Sequence, residues 1–202
     1  MADLKENTYK ISDYDRLILS NKQNTPKHIL CGICIGKVNK VYDGDTIWIA
    51  LNIETPNGRS VEYVSLRMYG YDAPEMKGPT KSMAIQVRDR VRECILNKIV
   101  VVNLCPTLDK NGNPENKPIL DKYGRNLGDI FVMPMDASKS NTIELETRDI
   151  KLEEYISENF QEIVDSQCIN FNRWVESHLN VKPYFGGTKE KFELSTTDHY
   201  KK

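Results

Sequence analysis

Short runs of hydrophobic alternation with a period of two, interrupted by one strong helical pattern, constrain this chain most. In residues 46–53, Ile47, Ile49 and Leu51 alternate against Thr46, Trp48 and Ala50, which is the pattern of a half-buried strand. Residues 61–69 repeat it. Val64, Leu66 and Met68 share one face, and Tyr63, Ser65 and Arg67 the other, because side chains alternate along a strand. Arg67 is therefore expected to point away from the core. Pro56-Asn57-Gly58 between the two runs is a turn signal. Residues 33–42 supply an earlier strand, residues 98–104 a strand apolar on both faces, and residues 126–133 a fifth. Between the third and fourth strands, residues 79–97 predict a helix. Met83, Ala84, Val87, Val91, Cys94 and Ile95 recur at helical spacing, and Pro79 suits a first turn.

Five short strands with a helix between the third and fourth predict an α+β fold with a mainly β core. The order matches a five-stranded OB-fold barrel with flanking helices. Residues 106–119, rich in Pro, Asn and Gly, read as a loop. Residues 134–168 form an acidic helical insertion. In it Leu152, Tyr155, Ile156, Phe160, Ile163 and Val164 mark one amphipathic helix, with Glu153, Glu154, Glu158 and Glu162 on its solvent face. Residues 169–179 predict a final helix. The 202 residues thus divide into an N-terminal arm (1–30), a domain (31–187) and a polar tail (188–202).

The net charge of −1 argues against a protein that holds nucleic acid by bulk electrostatics. It leaves room for an enzyme that presents a few cations locally. The five cysteines, an odd number, do not read as a disulfide framework, and residues 1–10 are polar. An intracellular setting, cytoplasmic or nuclear, is therefore expected. No stretch has the apolar length needed to span a bilayer. Cys31-Gly-Ile-Cys34 has no second pair of ligands for a tetrahedral zinc site, and it leads into a strand. It reads as the start of that strand.

Three segments carry candidate chemistry. Tyr42-Asp43-Gly44-Asp45-Thr46 is a turn between the first two strands. Arg67-Met68-Tyr69-Gly70-Tyr71-Asp72-Ala73-Pro74-Glu75 runs off the third strand. Asp121-Lys122-Tyr123-Gly124-Arg125 leads into the fifth. Taken singly, each is an ordinary turn or loop. Together they hold what metal-assisted phosphodiester cleavage requires. Asp45 and Asp72 can share one hard ion with a backbone carbonyl and waters, as calcium allows. Glu75 can reach a water facing the same phosphate. Arg67 and Arg125 offer planar forks for phosphate oxygens. With no thiolate or imidazole in the set, calcium is favoured over zinc.

In this order the segments resemble the pattern of the staphylococcal-nuclease family. That pattern has an Asp-Gly-Asp-Thr turn, an Arg followed five positions later by Asp-x-Pro-Glu, and a later Lys-Tyr-Gly-Arg. The resemblance covers roughly residues 33–133 and resumes at 170–187. It implies a calcium-dependent nuclease that hydrolyses DNA and RNA at the P–O5′ bond and leaves 3′-phosphate products. It implies Ca2+ held by Asp45, Asp72 and the carbonyl of Ala73, where many relatives have Thr. Glu75 would be the general base, and Arg67 and Arg125 would hold the phosphate. Tyr123 matches a tyrosine near the phosphate, and Lys122 precedes it in the same motif. Tyr184 aligns with a tyrosine that stacks on the base.

Two features depart from the family pattern. The 134–168 insertion stands where compact members have a short turn; it is expected to pack on the barrel, and docking of a protein partner is the competing role. The near-neutral charge predicts modest affinity for long duplexes and a preference for single-stranded substrate. Lys77, Lys81, Arg88, Lys122, Lys182, Lys189 and Lys191 are candidates for a local basic track. The chain is expected to act as a monomer. A non-catalytic nucleic-acid-binding module and an interaction scaffold are the alternatives.

Overall fold

The structure, a computed structural model, describes residues 32–55, 58–185 and 192. The expected N-terminal arm, Cys31, most of the Pro56-Asn57-Gly58 turn, Lys189, Lys191 and nearly all of the polar tail lie outside the described residues. Strands β1 (Gly32–Val41), β2 (Thr46–Thr55) and β3 (Gly58–Met68) form an antiparallel meander. A short β4 (Gly70–Asp72) follows, then helix α1 (Lys81–Ile95) and β5 (Ile99–Leu104). Next come β6 (Pro106–Leu108), β7 (Pro114–Pro118) and β8 (Asn126–Pro134). The remainder is β9 (Thr147–Arg148), α2 (Leu152–Tyr155), α3 (Phe160–Gln167), β10 (Ile169–Asn170), α4 (Phe171–His178) and β11 (Lys182–Tyr184). This is a mixed α+β fold with a β-rich core. The five main strands pair in a ring: β1 with β2 and β5, β2 with β3, and β8 with both β3 and β5.

The inner face of that ring is the alternating set seen in the sequence. Ile47, Ile49 and Leu51 meet Leu66, Met68, Val100, Val102, Ile130 and Val132, all fully buried. Each such side chain contributes about 1.5–3 kcal/mol by leaving water. Helix α1 closes one end with Val91, Cys94 and Ile95, and α4 adds Phe171, Trp174 and Val175. Asn172 of α4 is also buried, at the seam where β3 and β8 run parallel. Its Nδ2 donates to the carbonyls of Tyr69 (2.9 Å) and Gly128 (3.0 Å), and its Oδ1 accepts from Ile130 N (3.1 Å). This ties the ends of β3 and β8 to α4 through one buried side chain.

The 134–168 segment packs on the outer side of the sheet, as expected. Val101, on the outward side of β5, is covered by Met133, Ile150 and Val164, with Tyr155, Phe160 and Ile163 around them. That cover explains why β5 is apolar on both faces. Three expectations need correction. The single amphipathic helix is two short ones, α2 and α3, and Ile156 between them is 66% exposed. The break falls at Ser157 and Asn159, where Ser157 Oγ accepts from Asn159 N (3.2 Å) and competes with the helical ladder. The final helix begins two residues late, because Ile169 and Asn170 pair with β8 and Asn170 Oδ1 caps α4 at Arg173 N. Residues 106–119 hold the β6–β7 hairpin rather than an unpaired loop. Among the described residues, no helix is long and apolar enough to cross a membrane.

Candidate functional site

The site begins at the turn between β1 and β2. Asp45 N donates to Asp43 Oδ1 (3.1 Å), and Met68 N donates to Asp45 O (2.8 Å). Tyr71, fully buried, donates its hydroxyl to Gly44 O (2.8 Å). Burial, reinforced by Asp45 and Asp43, raises the Tyr71 pKa well above its ordinary value, so it stays a donor. Gly44 is required by close approach, since a Cβ there would lie 2.6 Å from Val87 Cγ1 and 2.7 Å from Ala73 Cβ. Helix α1 and the 72–75 segment therefore press on the turn from outside.

Register then brings the second segment in. Thr46 pairs with Arg67 across β2 and β3. Arg67 points away from the hydrophobic core, as expected, yet it is buried (6% exposed), because β4 and β11 cover it. Its Nη1 meets Asp45 Oδ2 at 2.9 Å and its Nη2 meets Asp72 Oδ1 at 2.8 Å. Nη2 also donates to Tyr71 O (3.3 Å). Burial pulls the Arg67 pKa down, but Asp45, Asp72 and Asp43 outweigh it and raise the net value. Ala73 N donates to Asp45 Oδ2 (3.0 Å). Asp43 beside them is pushed up to about 6, first by burial and then by the charge of Asp45.

The third segment enters through Asp121, which opens that segment in the sequence but was given no role there. Its Oδ1 accepts from the backbone N–H groups of Tyr123 (2.8 Å) and Arg125 (2.9 Å), and its Oδ2 accepts from Arg125 Nε (2.6 Å). Burial works to raise the Asp121 pKa, and these bonds hold it below the ordinary value. Gly124 supplies the positive φ (+81°) of the turn. Arg125, so held, donates from Nη1 to Thr46 Oγ1 (2.8 Å), and Thr46 Oγ1 donates to Asp45 Oδ1 (2.8 Å). Thr46 thus joins the two arginine sites through Asp45.

Strand β11 pairs with β4 in the register Lys182↔Asp72 and Tyr184↔Gly70. This sets the Tyr184 ring under the Arg67 guanidinium at 5.5 Å. Arg67, Tyr69, Asp121, Lys122, Tyr123, Arg125, Tyr184 and Phe185 line a cleft of about 440 Å³. Arg125 and Lys122 lie 5.4 and 5.0 Å from the exposed Tyr123 ring. Tyr69 and Phe185, which the sequence did not single out, meet edge to face at 5.7 Å. The structure therefore brings Asp45, Arg67, Asp72, Ala73, Arg125 and Tyr184 together, with Lys122 and Tyr123 on the rim. Glu75 is solvent-exposed, does not line the cleft, and has its backbone carbonyl held by Thr80 Oγ1 (3.2 Å). In the expected basic track, Arg88 is paired with Asp89 at 2.7 Å.

Among the described residues, no group of three or more His, Cys, Asp or Glu side chains forms a ready-made metal cage. The donor set still suits a hard cation. Asp45 and Asp72 both pair with the single Arg67 guanidinium, so two carboxylates share one cation there. All the candidate donors are oxygens. The fold and site together define a β-rich domain with a bridged two-arginine, two-aspartate cluster opening on an aromatic cleft. No protein-family model matches the chain, and no curated protein matches it.

Proposed function

We propose that this protein is a nuclease of the staphylococcal-nuclease type, built on a closed OB-type barrel, that hydrolyses single-stranded DNA and RNA with calcium. The observation that carries this reading is the bridge Arg125–Thr46–Asp45–Arg67–Asp72, whose two arginines line the aromatic cleft. Ca2+ would be held by Asp45, Asp72 and the Ala73 carbonyl, and when bound it supplies Lewis-acid stabilisation of charge on a phosphate oxygen. Arg67 and Arg125 bind the phosphate and balance charge in the five-coordinate transition state. Losing one such preorganised donor costs on the order of 10²–10³-fold in rate. Tyr184 and Tyr123, with Lys122, seat the nucleotide in the cleft. Glu75, two residues beyond Ala73 and outside the cleft lining, would reach in through water and take its proton as the water oxygen bonds to phosphorus. The P–O5′ bond breaks, the 5′ oxygen takes up a proton from solvent, and a 3′-phosphate and 5′-hydroxyl result. Four described cysteines are free thiols, with Cys34 pushed by burial to about 12 and Cys94, Cys105 and Cys168 to about 11.

Cleavage of single-stranded DNA and RNA with calcium, with chelator, and by Glu75→Ala tests the reading. The expected result is loss on chelation and a drop of about 10²–10⁴-fold for Glu75→Ala. Cleavage indifferent to both contradicts it. One observation favours a second reading, a non-catalytic nucleic-acid-binding module: Arg67 is already paired with both aspartates. That module would bind oligonucleotide and cleave none.

A further inference from the structure

The face of the sheet that carries Thr46 and Arg67 continues beyond the site. On β2 it presents Trp48 and Ala50, and on β3 Ser65 and Tyr63, in the pairs Trp48↔Ser65 and Ala50↔Tyr63. Trp48 and Tyr63 stack with ring centroids 5.4 Å apart and planes 24° apart. Tyr63 is 57% exposed, so the pair is not part of the core. On β1 a bulge between Val38 and Lys40 breaks the simple alternation. It places both Lys37, opposite Ala50, and Lys40, opposite Trp48, on the same outward face while Val38 and Val41 stay buried. Bulges re-aim side chains in this way. The result is an aromatic pair, Tyr63 exposed and Trp48 half-buried, flanked by two cations. Trp48 lies two residues from Thr46, roughly 7 Å along the strand, and Tyr63 lies four from Arg67, roughly 13 Å.

We infer that this Trp48–Tyr63 face, with Lys37 and Lys40, is a second binding subsite that stacks a base of single-stranded nucleic acid flanking the phosphate held at Arg67. Aromatic platforms bordered by cations bind single strands without sequence preference, because every base has a flat face and every phosphate a charge. An OB-type barrel covers roughly 4–16 nucleotides, which takes a strand from the cleft onto this face. The choice of ligand rests on the nuclease reading. The placement of the stack does not.

The test is anisotropy of a labelled oligothymidylate of about 12 nucleotides, measured with chelator so that nothing is cut. Trp48→Ala with Tyr63→Ala weakens binding by roughly 10–100-fold, and Trp48→Phe restores most of it, because a flat ring returns. Lys37→Ala with Lys40→Ala lowers the slope of log affinity against log salt by roughly 1 to 1.5. Circular dichroism confirms that the variants fold, which the outward position of these side chains predicts. Undiminished binding by the Trp48/Tyr63 variant overturns the inference. So does a loss of self-association in sedimentation with oligonucleotide binding intact, which would make the face a contact between copies. If the wild-type chain binds through Trp48 but cleaves nothing in calcium, the nuclease reading fails and the subsite stands.

Discussion

Replacing Thr46 with Val removes one hydroxyl from the middle of the site and little else. Valine fills the same space and suits a strand at least as well. Two hydrogen bonds are lost, Thr46 Oγ1 to Asp45 Oδ1 and Arg125 Nη1 to Thr46 Oγ1, both at 2.8 Å and both involving a charged partner. The costs differ at the two ends. The Arg125 side chain is 23% exposed, so water can replace its lost acceptor. The Asp45 side chain is 6% exposed and keeps Arg67, Ala73 N and the neighbouring Asp43 carboxyl. Most of the penalty therefore falls on Asp45, at about 1.5–3 kcal/mol for a bond to a charged group. Urea unfolding should show a loss of about 2 kcal/mol. Cleavage should fall by on the order of 10²-fold, because Arg125 loses its tie to the Asp45 side of the site. Thr46→Ser keeps the hydroxyl and should stay near wild type in both assays. Wild-type stability and rate in Thr46→Val, or an equal defect in Thr46→Ser, would refute the bridging role.

Gly44→Ala forces a methyl group within 2.7 Å of Val87 and Ala73, and should cost about 1–3 kcal/mol in urea unfolding with a matching drop in cleavage; an unchanged midpoint contradicts that packing. Arg67→Met leaves Asp45 and Asp72 buried without their cation. It should cost about 3–5 kcal/mol, part of which added calcium recovers by binding the folded state, and a loss below about 1 kcal/mol argues against the pairing. The Arg148 side-chain bonds and the Lys151 N–H hold the Glu154 pKa at about 2, below its ordinary 4.5. A depressed acid stabilises the fold above its unfolded pKa and loses that contribution as pH falls through the folded one. Glu154→Gln should thus lower stability by about 1 kcal/mol at neutral pH, with the gap to wild type closing between pH 4.5 and about 2; a gap independent of pH would place the effect elsewhere.

The strands were legible because one inward face gives each of them a clean period of two. Ile47, Ile49 and Leu51 are all fully buried, as their spacing required. The helix α1 stripe was legible for the same reason, with Ala84, Val87, Val91, Cys94 and Ile95 all buried. Strand β5 was seen as buried, but not what covers its outer side, since periodicity does not name a partner. The 152–164 pattern misled because Ile156 sits at helical spacing and yet turns outward where Ser157 and Asn159 interrupt the ladder. The β6–β7 hairpin escaped because Pro, Asn and Gly mark a turn equally well with and without flanking pairs. In the site, the charged residues announced themselves by type. Thr46, Asp121 and Tyr71 did not, because their roles depend on partners 27 or more residues away or on backbone groups inside a turn. Tyr184 was found by resemblance, and what places it is the β4–β11 pairing, which no local pattern encodes.

The most direct measurement is the chemistry of the cut ends. A 5′-labelled single-stranded oligonucleotide is incubated with the wild-type chain in calcium, and the fragments are analysed by mass spectrometry. Fragments ending in 3′-phosphate, absent with chelator and strongly reduced by Arg125→Ala, are the predicted result. Intact oligonucleotide at saturating protein and calcium, or fragments carrying 5′-phosphate, would contradict the roles assigned to Asp45, Asp72, Glu75 and the two arginines.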